Sequence, residues 1–134
     1  MVCIFCNGVT GVVNSRWQKR PNSTWRRRKC LDCGRVITTI EALDADSILK
    51  VATSRSNIVQ PFCRDKLFLS VYKALKHRPS AIDDASGLTA TILQQIKRQH
   101  QDGIMQSGHI KAACLKTLKR FDKDAALQYR VYHR

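Results

Sequence analysis

The hydrophobic and polar positions of the chain change their period near residue 45. Before this point, short β-branched runs alternate with polar and basic residues, which is typical of strands. From about residue 64 onward, apolar residues recur every three or four positions, which is typical of helices that pack by one face. The pattern therefore predicts an α+β protein in which a small β unit precedes a mainly helical one.

The first unit is predicted to contain three strands. Residues 11–17 and 24–29 form the arms of a hairpin, because Pro21-Asn22-Ser23 between them is typical of a turn. Residues 34–41 are rich in β-branched side chains and form the third strand.

Polar and acidic residues after residue 41 mark a boundary, and we place two domains at 1–44 and 46–134. Two short apolar runs, 48–51 and 58–62, flank Thr53-Ser54-Arg55-Ser56-Asn57 and predict a second hairpin.

Four helices follow, the first over residues 64–77 and the last two over 108–120 and 122–132. The second opens at Ser80, where Asp83 completes a capping-box-like pair. The predicted buried positions, spaced by three and four residues, are Leu67, Val71, Ala74, Leu75, Ala85, Leu88, Ile92, Ile96, Ile110, Ala113, Cys114, Leu118, Ala125, Ala126, Tyr129 and Tyr132.

Two thiol pairs, Cys3-x-x-Cys6 and Cys30-x-x-Cys33, frame the first hairpin. Such pairs supply the four thiolates of a tetrahedral zinc site, so we predict one structural Zn²⁺ per chain and a three-stranded zinc ribbon. A unit of about 40 residues buries too little apolar surface to be stable alone. Bound zinc contributes about 10 to 16 kcal/mol in peptides of this kind.

Two alternatives to zinc remain for these thiols. Disulfides require an oxidising compartment, but the N-terminal sequence lacks the pattern of a secretory signal and no apolar run reaches the roughly 18 residues of a membrane span. We therefore expect a cytoplasmic protein without a membrane partner. A thioredoxin-type redox role is disfavoured, because neither pair lies between an apolar strand and a helix.

Positive charge is concentrated in the first hairpin. The net charge is +14, from 24 basic and 10 acidic side chains, which favours a polyanionic partner. The segment between the thiol pairs contains seven basic residues and no carboxylate, together with two tryptophans that could stack on bases. We therefore predict that this segment contacts nucleic acid. The predicted contact residues are Arg16, Trp17, Lys19, Arg20, Trp25, Arg26, Arg27, Arg28 and Lys29. The alternative is that the charges are merely solvated and that both tryptophans form a miniature core.

No catalytic constellation stands out, so we expect no enzyme. Cys114 occupies an apolar helical position, and no chemistry is assigned to Cys63. The histidines are too scattered to suggest a metal cluster, and there is no P-loop or G-x-G-x-x-G. Nucleotide hydrolysis is a weak third hypothesis, because no Mg²⁺-binding carboxylate pair is evident.

Several motifs resemble those of the NrdR family of bacterial transcriptional regulators. In the ribbon these are Cys3-x-x-Cys6, Asn14-Ser15-Arg16, Arg26-Arg27-Arg28-Lys29-Cys30-x-x-Cys33 and Thr38-Thr39-x-Glu41. The second half resembles the ATP-cone of that family through Pro61-Phe62-x-x-Asp65-Lys66-Leu67, Lys76-x-Arg78-Pro79 and the closing segment 122–132.

The resemblance implies a repressor of ribonucleotide reductase genes in the bacterial cytoplasm, associated with the nucleoid. Its ribbon would bind zinc through Cys3, Cys6, Cys30 and Cys33, and double-stranded DNA through Arg16, Arg26, Arg27, Arg28 and Lys29. Its cone would bind ATP or dATP and thereby change the homo-oligomer that is presented to paired operator boxes.

The sequence departs from the family pattern mainly in the cone. Ser54 stands at a phosphate-binding lysine, Asn57 at a glycine and Gln60 at a glutamate, whereas Arg55 and Lys66 match. The resemblance thus implies nucleotide contacts from Arg55, Gln60 and Lys66, with weakened affinity, since a lost charge-assisted contact costs about tenfold or more. Smaller departures in the ribbon are Asn14 for an acid, Trp25 for an arginine, and Val36-Ile37 for R-F.

Two hypotheses follow from these observations. The first is a zinc-dependent repressor whose oligomer still responds to nucleotide. The second is a general nucleic-acid-binding ribbon, on RNA or single strands, whose second domain only oligomerises and does not sense nucleotide.

Overall fold

The chain divides into two compact units, Met1–Asp44 and Ala45–Arg134. Its computed structural model describes residues 1–53, 58–99 and 103–133. The first unit is a β-sheet with four neighbouring cysteines, and the second is mainly helical with a small sheet. The predicted α+β class is therefore confirmed.

The first unit, here called the ribbon, is one antiparallel sheet. Its strands β1 (Thr10–Gln18), β2 (Ser23–Cys30) and β3 (Val36–Ala42) pair in the order β1-β2-β3. The turn between β1 and β2 closes through a hydrogen bond from the Asn22 amide to the Lys19 carbonyl, and Asn22 adopts the left-handed conformation at φ 48°. Asparagine tolerates this conformation better than most residues, so the predicted turn is confirmed.

The ribbon has almost no apolar core. Its buried residues are Cys3, Gly8, Thr10, Ser23 and Cys30, while apolar side chains such as Val13 and Ile40 are exposed. Burial of apolar surface therefore contributes little to the stability of this unit. Its stability must come from another source.

The second unit begins with a short helix, α1 (Ala45–Ile48), and a three-stranded sheet. The strands β4 (Lys50–Ala52) and β5 (Val59–Pro61) are antiparallel, as the sequence predicted. Residues 54–57, which connect them, lie outside the described residues. A third strand, β6 (Ile104–Gln106), pairs in parallel with β4 and was not predicted, because three residues carry too little pattern to recognise.

Four helices enclose the core of the second unit: α2 (Arg64–Leu75), α3 (Ala81–Gln99), α4 (Ser107–Phe121) and α5 (Lys123–Tyr132). The core includes all the predicted positions on α2 and α3. On α4, Ile110 and Ala113 are half-buried at its edge. Among the helices of the described ranges, none combines the length and hydrophobicity that crossing a membrane would need.

Two details of the helix predictions are wrong. Tyr132 is 58% exposed, because it is the last residue of α5 and lies beyond the core that Tyr129 reaches. Ser80 directly precedes α3, as predicted, but within the described residues no capping hydrogen bond joins it to Asp83. Its hydroxyl donates instead to Asp84 Oδ2, a carboxylate oxygen that also accepts from Arg78.

Candidate metal centre and nucleic-acid interface

Each pair of cysteines lies on a tight backbone turn. In the first, the Cys3 amide donates to the Gly8 carbonyl at 2.8 Å, and Asn7 has a φ of 58°. In the second, the Cys30 amide donates to the Arg35 carbonyl at 2.9 Å, and Gly34 has a φ of 70°. The residue after the second cysteine is left-handed in both turns, and this reverses the chain around the sulfurs.

The four sulfur atoms have the spacing of a zinc site. All lie within 4.8 Å of one another, with Cys3 and Cys33 separated by 3.8 Å and Cys6 and Cys30 by 3.5 Å. Ligands about 2.3 Å from a tetrahedral ion are about 3.8 Å apart. Four thiolates leave no open position, so the set fits one structural Zn²⁺.

The backbone of these turns also affects the protonation of the thiols. The Cys33 amide, which points at the Cys30 sulfur, lowers the pKa of the Cys30 thiol to about 7. The Gly8 amide favours the Cys6 thiolate, but hydrogen bonds with neighbouring cysteine sulfurs outweigh it and raise the pKa of the Cys6 thiol to about 12. Zinc must therefore displace protons to bind, and its affinity falls as the pH falls.

The sheet register divides the hairpin side chains between two faces, because residues directly opposite share a face. The first face carries Ser15, Trp17, Arg26, Arg28, Ile37, Thr39 and Glu41, and the second carries Arg16, Trp25, Arg27, Lys29, Thr38 and Ile40. Lys19 and Arg20 lie in the turn and are exposed. All the predicted nucleic-acid contacts thus lie on one hairpin.

The two tryptophans differ in environment. Trp17 is 63% exposed, whereas Trp25 is half-buried. The alternative in which both rings form a core is therefore wrong for Trp17, whose ring is accessible to a partner.

The hairpin cations also differ in their contacts. Arg26 Nη2 lies 2.7 Å from Glu41 Oε2, and Arg28 Nε donates to Thr39 Oγ1 at 3.3 Å. Arg27 and Lys29 are exposed and have no side-chain partner in the described part of the chain.

The second unit contains a cavity of about 720 Å³ between its sheet and helices. Gln60 and Lys66 line it, whereas Arg55 lies outside the described residues. Sequence reasoning missed other polar lining residues, which come from distant parts of the chain: Ser70, Lys111, Tyr129 and His133.

These missed residues form a connected group. Ser70 Oγ lies 2.6 Å from His133 Nε2, and Lys111 donates to the His133 carbonyl. Burial, together with Lys111 and Lys73, lowers the pKa of His133. The amphipathic period of the helices places Tyr129 on the buried face of α5, but it does not reveal that α2, α4 and the end of α5 meet at a cavity.

The fold and the four-cysteine site define a class, the zinc-ribbon proteins, here with a basic hairpin between the two halves of the metal site. Residues 1–41 match the family model described as "Transcriptional repressor NrdR-like, N-terminal domain".

Curated relatives extend this similarity to the second unit. A transcriptional repressor NrdR of Syntrophus aciditrophicus is 30% identical over 135 residues, covering 100% of this chain and 83% of the relative. Another, of Paenarthrobacter aurescens, is 34% identical over 130 residues, covering 96% of this chain and 75% of the relative. The chain therefore belongs to the NrdR family of zinc-ribbon transcriptional repressors.

Proposed function

We propose that this protein is a zinc-dependent repressor that binds double-stranded DNA upstream of ribonucleotide reductase genes in the bacterial cytoplasm. The observation that carries the proposal is the hairpin between the two cysteine turns, with seven cations and no carboxylate between the thiol pairs. Cys3, Cys6, Cys30 and Cys33 hold the Zn²⁺ that shapes this hairpin.

The hairpin is suited to a duplex in both size and charge. A two-stranded β-ribbon fits the major groove of B-DNA, and Arg or Lys side chains on both faces can reach the phosphates beside it. The proposed contacts are Arg16, Trp17, Lys19, Arg20, Trp25, Arg26, Arg27, Arg28 and Lys29.

The second unit supplies nucleotide-linked assembly in this proposal. Its cavity of about 720 Å³ is within the usual range for small-molecule sites, and Lys66 and Lys111 place two ammonium groups in its lining. We propose that ATP or dATP binds there, contacted by Lys66, Gln60 and Arg55, and alters the homo-oligomer. Without the lysine and glutamate that Ser54 and Gln60 replace, affinity is expected to be low.

The decisive test of the proposal is sequence preference on DNA. The zinc-loaded protein is titrated with duplexes carrying paired boxes from upstream of reductase genes, and with random duplex, at about 150 mM salt, where nonspecific binding is weak. We expect tighter binding to the paired boxes. Equal affinity for both would reject the repressor assignment, and a preference for single strands would support the general nucleic-acid-binding alternative.

The nucleotide proposal is tested by calorimetric titration with ATP and dATP, together with the mass of the protein in solution. We expect Lys66→Ala to weaken binding about tenfold, because it removes a charge-assisted contact. Lys97→Ala, at an exposed position of α3, is the matched control. Absence of heat and of any change in mass would leave the second unit as an oligomerisation module.

A further inference from the structure

Arg26 and Arg28 on the first face of the hairpin are held by the neighbouring strand. Arg26 lies directly opposite Thr39 but contacts Glu41, and Arg28 lies directly opposite Ile37 but contacts Thr39. In both cases the partner lies two residues further along β3, at the diagonal distance that long side chains can span. Both guanidinium groups therefore lean in the same direction.

An acidic side chain such as Glu41 is unfavourable on a surface that only binds phosphate. It is the one acidic side chain in β1, β2 and β3, all three of which the structure describes in full. It is 68% exposed, and an exposed ion pair contributes little to stability. Its charge also repels phosphate and offsets that of Arg26, so stability and phosphate binding alone do not account for it.

The guanidinium group of Arg26 is buried at one nitrogen and bound at another. Its Nε is buried and has no hydrogen-bond partner within the described residues, and its Nη2 is bound to Glu41. Its Nη1 has no hydrogen-bond partner in the part of the chain that the structure describes. An arginine held in this way presents a fixed donor group to its surroundings.

A fixed arginine beside a carboxylate matches the chemistry of base edges better than that of phosphates. Arginine donates two hydrogen bonds to O6 and N7 of guanine in the major groove, and a carboxylate accepts from the amino group of cytosine. Phosphates require only positive charge. The turn cations supply it, as do Arg27 and Lys29 of the second face, whose side chains have no partner among the described residues.

We propose that Glu41 is a specificity-determining residue: it holds Arg26 for guanine recognition, and its charge disfavours contact of this face with phosphate. Thr39 positions Arg28 in the same way. This inference rests on the proposed DNA-binding function and assigns the first face to base recognition.

The test compares affinity for selected and random DNA. A duplex is selected by the wild-type protein from a randomised library, and its affinity is divided by that of the unselected pool at about 150 mM salt. The first variant is Glu41→Gln, and its control is Asp44→Asn, which removes the same charge at a position after the end of β3. The second variant is Thr39→Val, and its control is Thr38→Val, which makes the same change on the second face. Zinc content establishes that each ribbon is intact.

We expect Glu41→Gln to lower the ratio of selected to random affinity roughly fivefold or more. Affinity for random duplex should be equal or higher, because Arg26 then binds phosphate. For the same reason, the slope of log affinity against log salt concentration should become steeper by about one, which corresponds to one more released counterion. Thr39→Val should also lower the ratio, while Asp44→Asn and Thr38→Val should not.

An unchanged ratio for Glu41→Gln would overturn the inference, as would an equal loss with Asp44→Asn, which would indicate a general charge effect. If the wild-type protein selects no sequence at all, the proposed function itself fails and the inference fails with it. A selected sequence that both the wild type and Glu41→Gln bind equally well would refute only the role of Glu41.

Discussion

Thr89 lies on the buried face of α3 with an exposed fraction of 0%, and its hydroxyl has no hydrogen-bond partner within the described residues. A buried hydroxyl without a partner costs about 1 to 3 kcal/mol, whereas an isosteric methyl group does not. We therefore expect Thr89→Val to raise the free energy of unfolding by about 1 kcal/mol. Thermal unfolding of the full chain measures this change.

Thr91 provides the matched control, because it is exposed and its hydroxyl donates to the Gly87 carbonyl at 3.0 Å. Thr91→Val should change the stability little or lower it slightly. If Thr89→Val were the more destabilising of the two, the Thr89 hydroxyl would have a partner in solution.

Arg27 is the clearest candidate for a phosphate contact at the level of a single side chain. It is exposed, lies on the second face, and has no side-chain partner among the described residues. We expect Arg27→Ala to weaken binding to all duplexes equally and to reduce the salt dependence of binding by about one counterion.

The control for this prediction is Arg98→Ala, at an exposed position of α3, which should leave the salt dependence unchanged. An unchanged salt dependence in Arg27→Ala together with a new sequence preference would mean that Arg27 contacts a base.

Two helix connections of the second unit are joined by a cluster of charged side chains. Arg78, after α2, donates to Asp84 near the start of α3 and to Asp122, which caps α5. His77 also contacts Asp122, and the Arg78 guanidinium lies 4.9 Å from the Phe121 ring centroid. The elements are thus linked at their ends as well as through the apolar core.

This cluster predicts a dependence of stability on pH. Hydrogen bonds from the Ala125 amide, together with His77 and Arg78, lower the pKa of Asp122 to about 2. A carboxyl whose pKa is lower in the folded state contributes stability above its unfolded pKa of about 3.9 and loses this contribution as the pH falls through its folded pKa. We expect Asp122→Ala to lower the stability by about 1 kcal/mol at neutral pH.

The difference between the wild type and Asp122→Ala should shrink as the pH falls from about 5 to 2. Thermal unfolding at several pH values measures it, with Asp124→Ala, the exposed neighbour in the first turn of α5, as the comparison. A difference that is the same at pH 7 and pH 2 would show that the carboxylate charge is not involved.

The elements that the sequence predicted are those with a long or distinctive pattern. The helices follow from apolar spacing, and the ribbon strands follow from β-branched runs around a turn. Strand β6 and the Arg26–Glu41 contact could not be predicted, because β6 has three residues and the contact depends on the sheet register. The cap of α5 by Asp122 also required the observed helix start.

The two units depend on different sources of stability. The second has an apolar core contributed by all four of its long helices, whereas the ribbon buries little besides Cys3 and Cys30. The metal site of the ribbon was predictable because its four cysteines form two Cys-x-x-Cys pairs, a spacing that the sequence shows directly. The cavity was not, since Lys66, Lys111 and His133 are distant in sequence and converge only in the folded unit.

At the scale of the whole molecule, we expect Cys30→Ser to release zinc and unfold the ribbon while the second unit stays folded. Elemental analysis and circular dichroism measure the two effects. Cys63→Ser, a half-buried cysteine of the second unit, should retain one zinc ion per chain. Stoichiometric zinc and unchanged DNA affinity in Cys30→Ser would contradict the assigned ligand set.

The most direct test of the account is duplex affinity measured before zinc removal, after it, and after zinc is returned, on reduced protein. If the ion holds the basic hairpin in its binding shape, DNA binding should be lost with a strong chelator and recover at one Zn²⁺ per chain. Purified protein that contains no zinc, or a chelated protein that binds duplex unchanged, would contradict it.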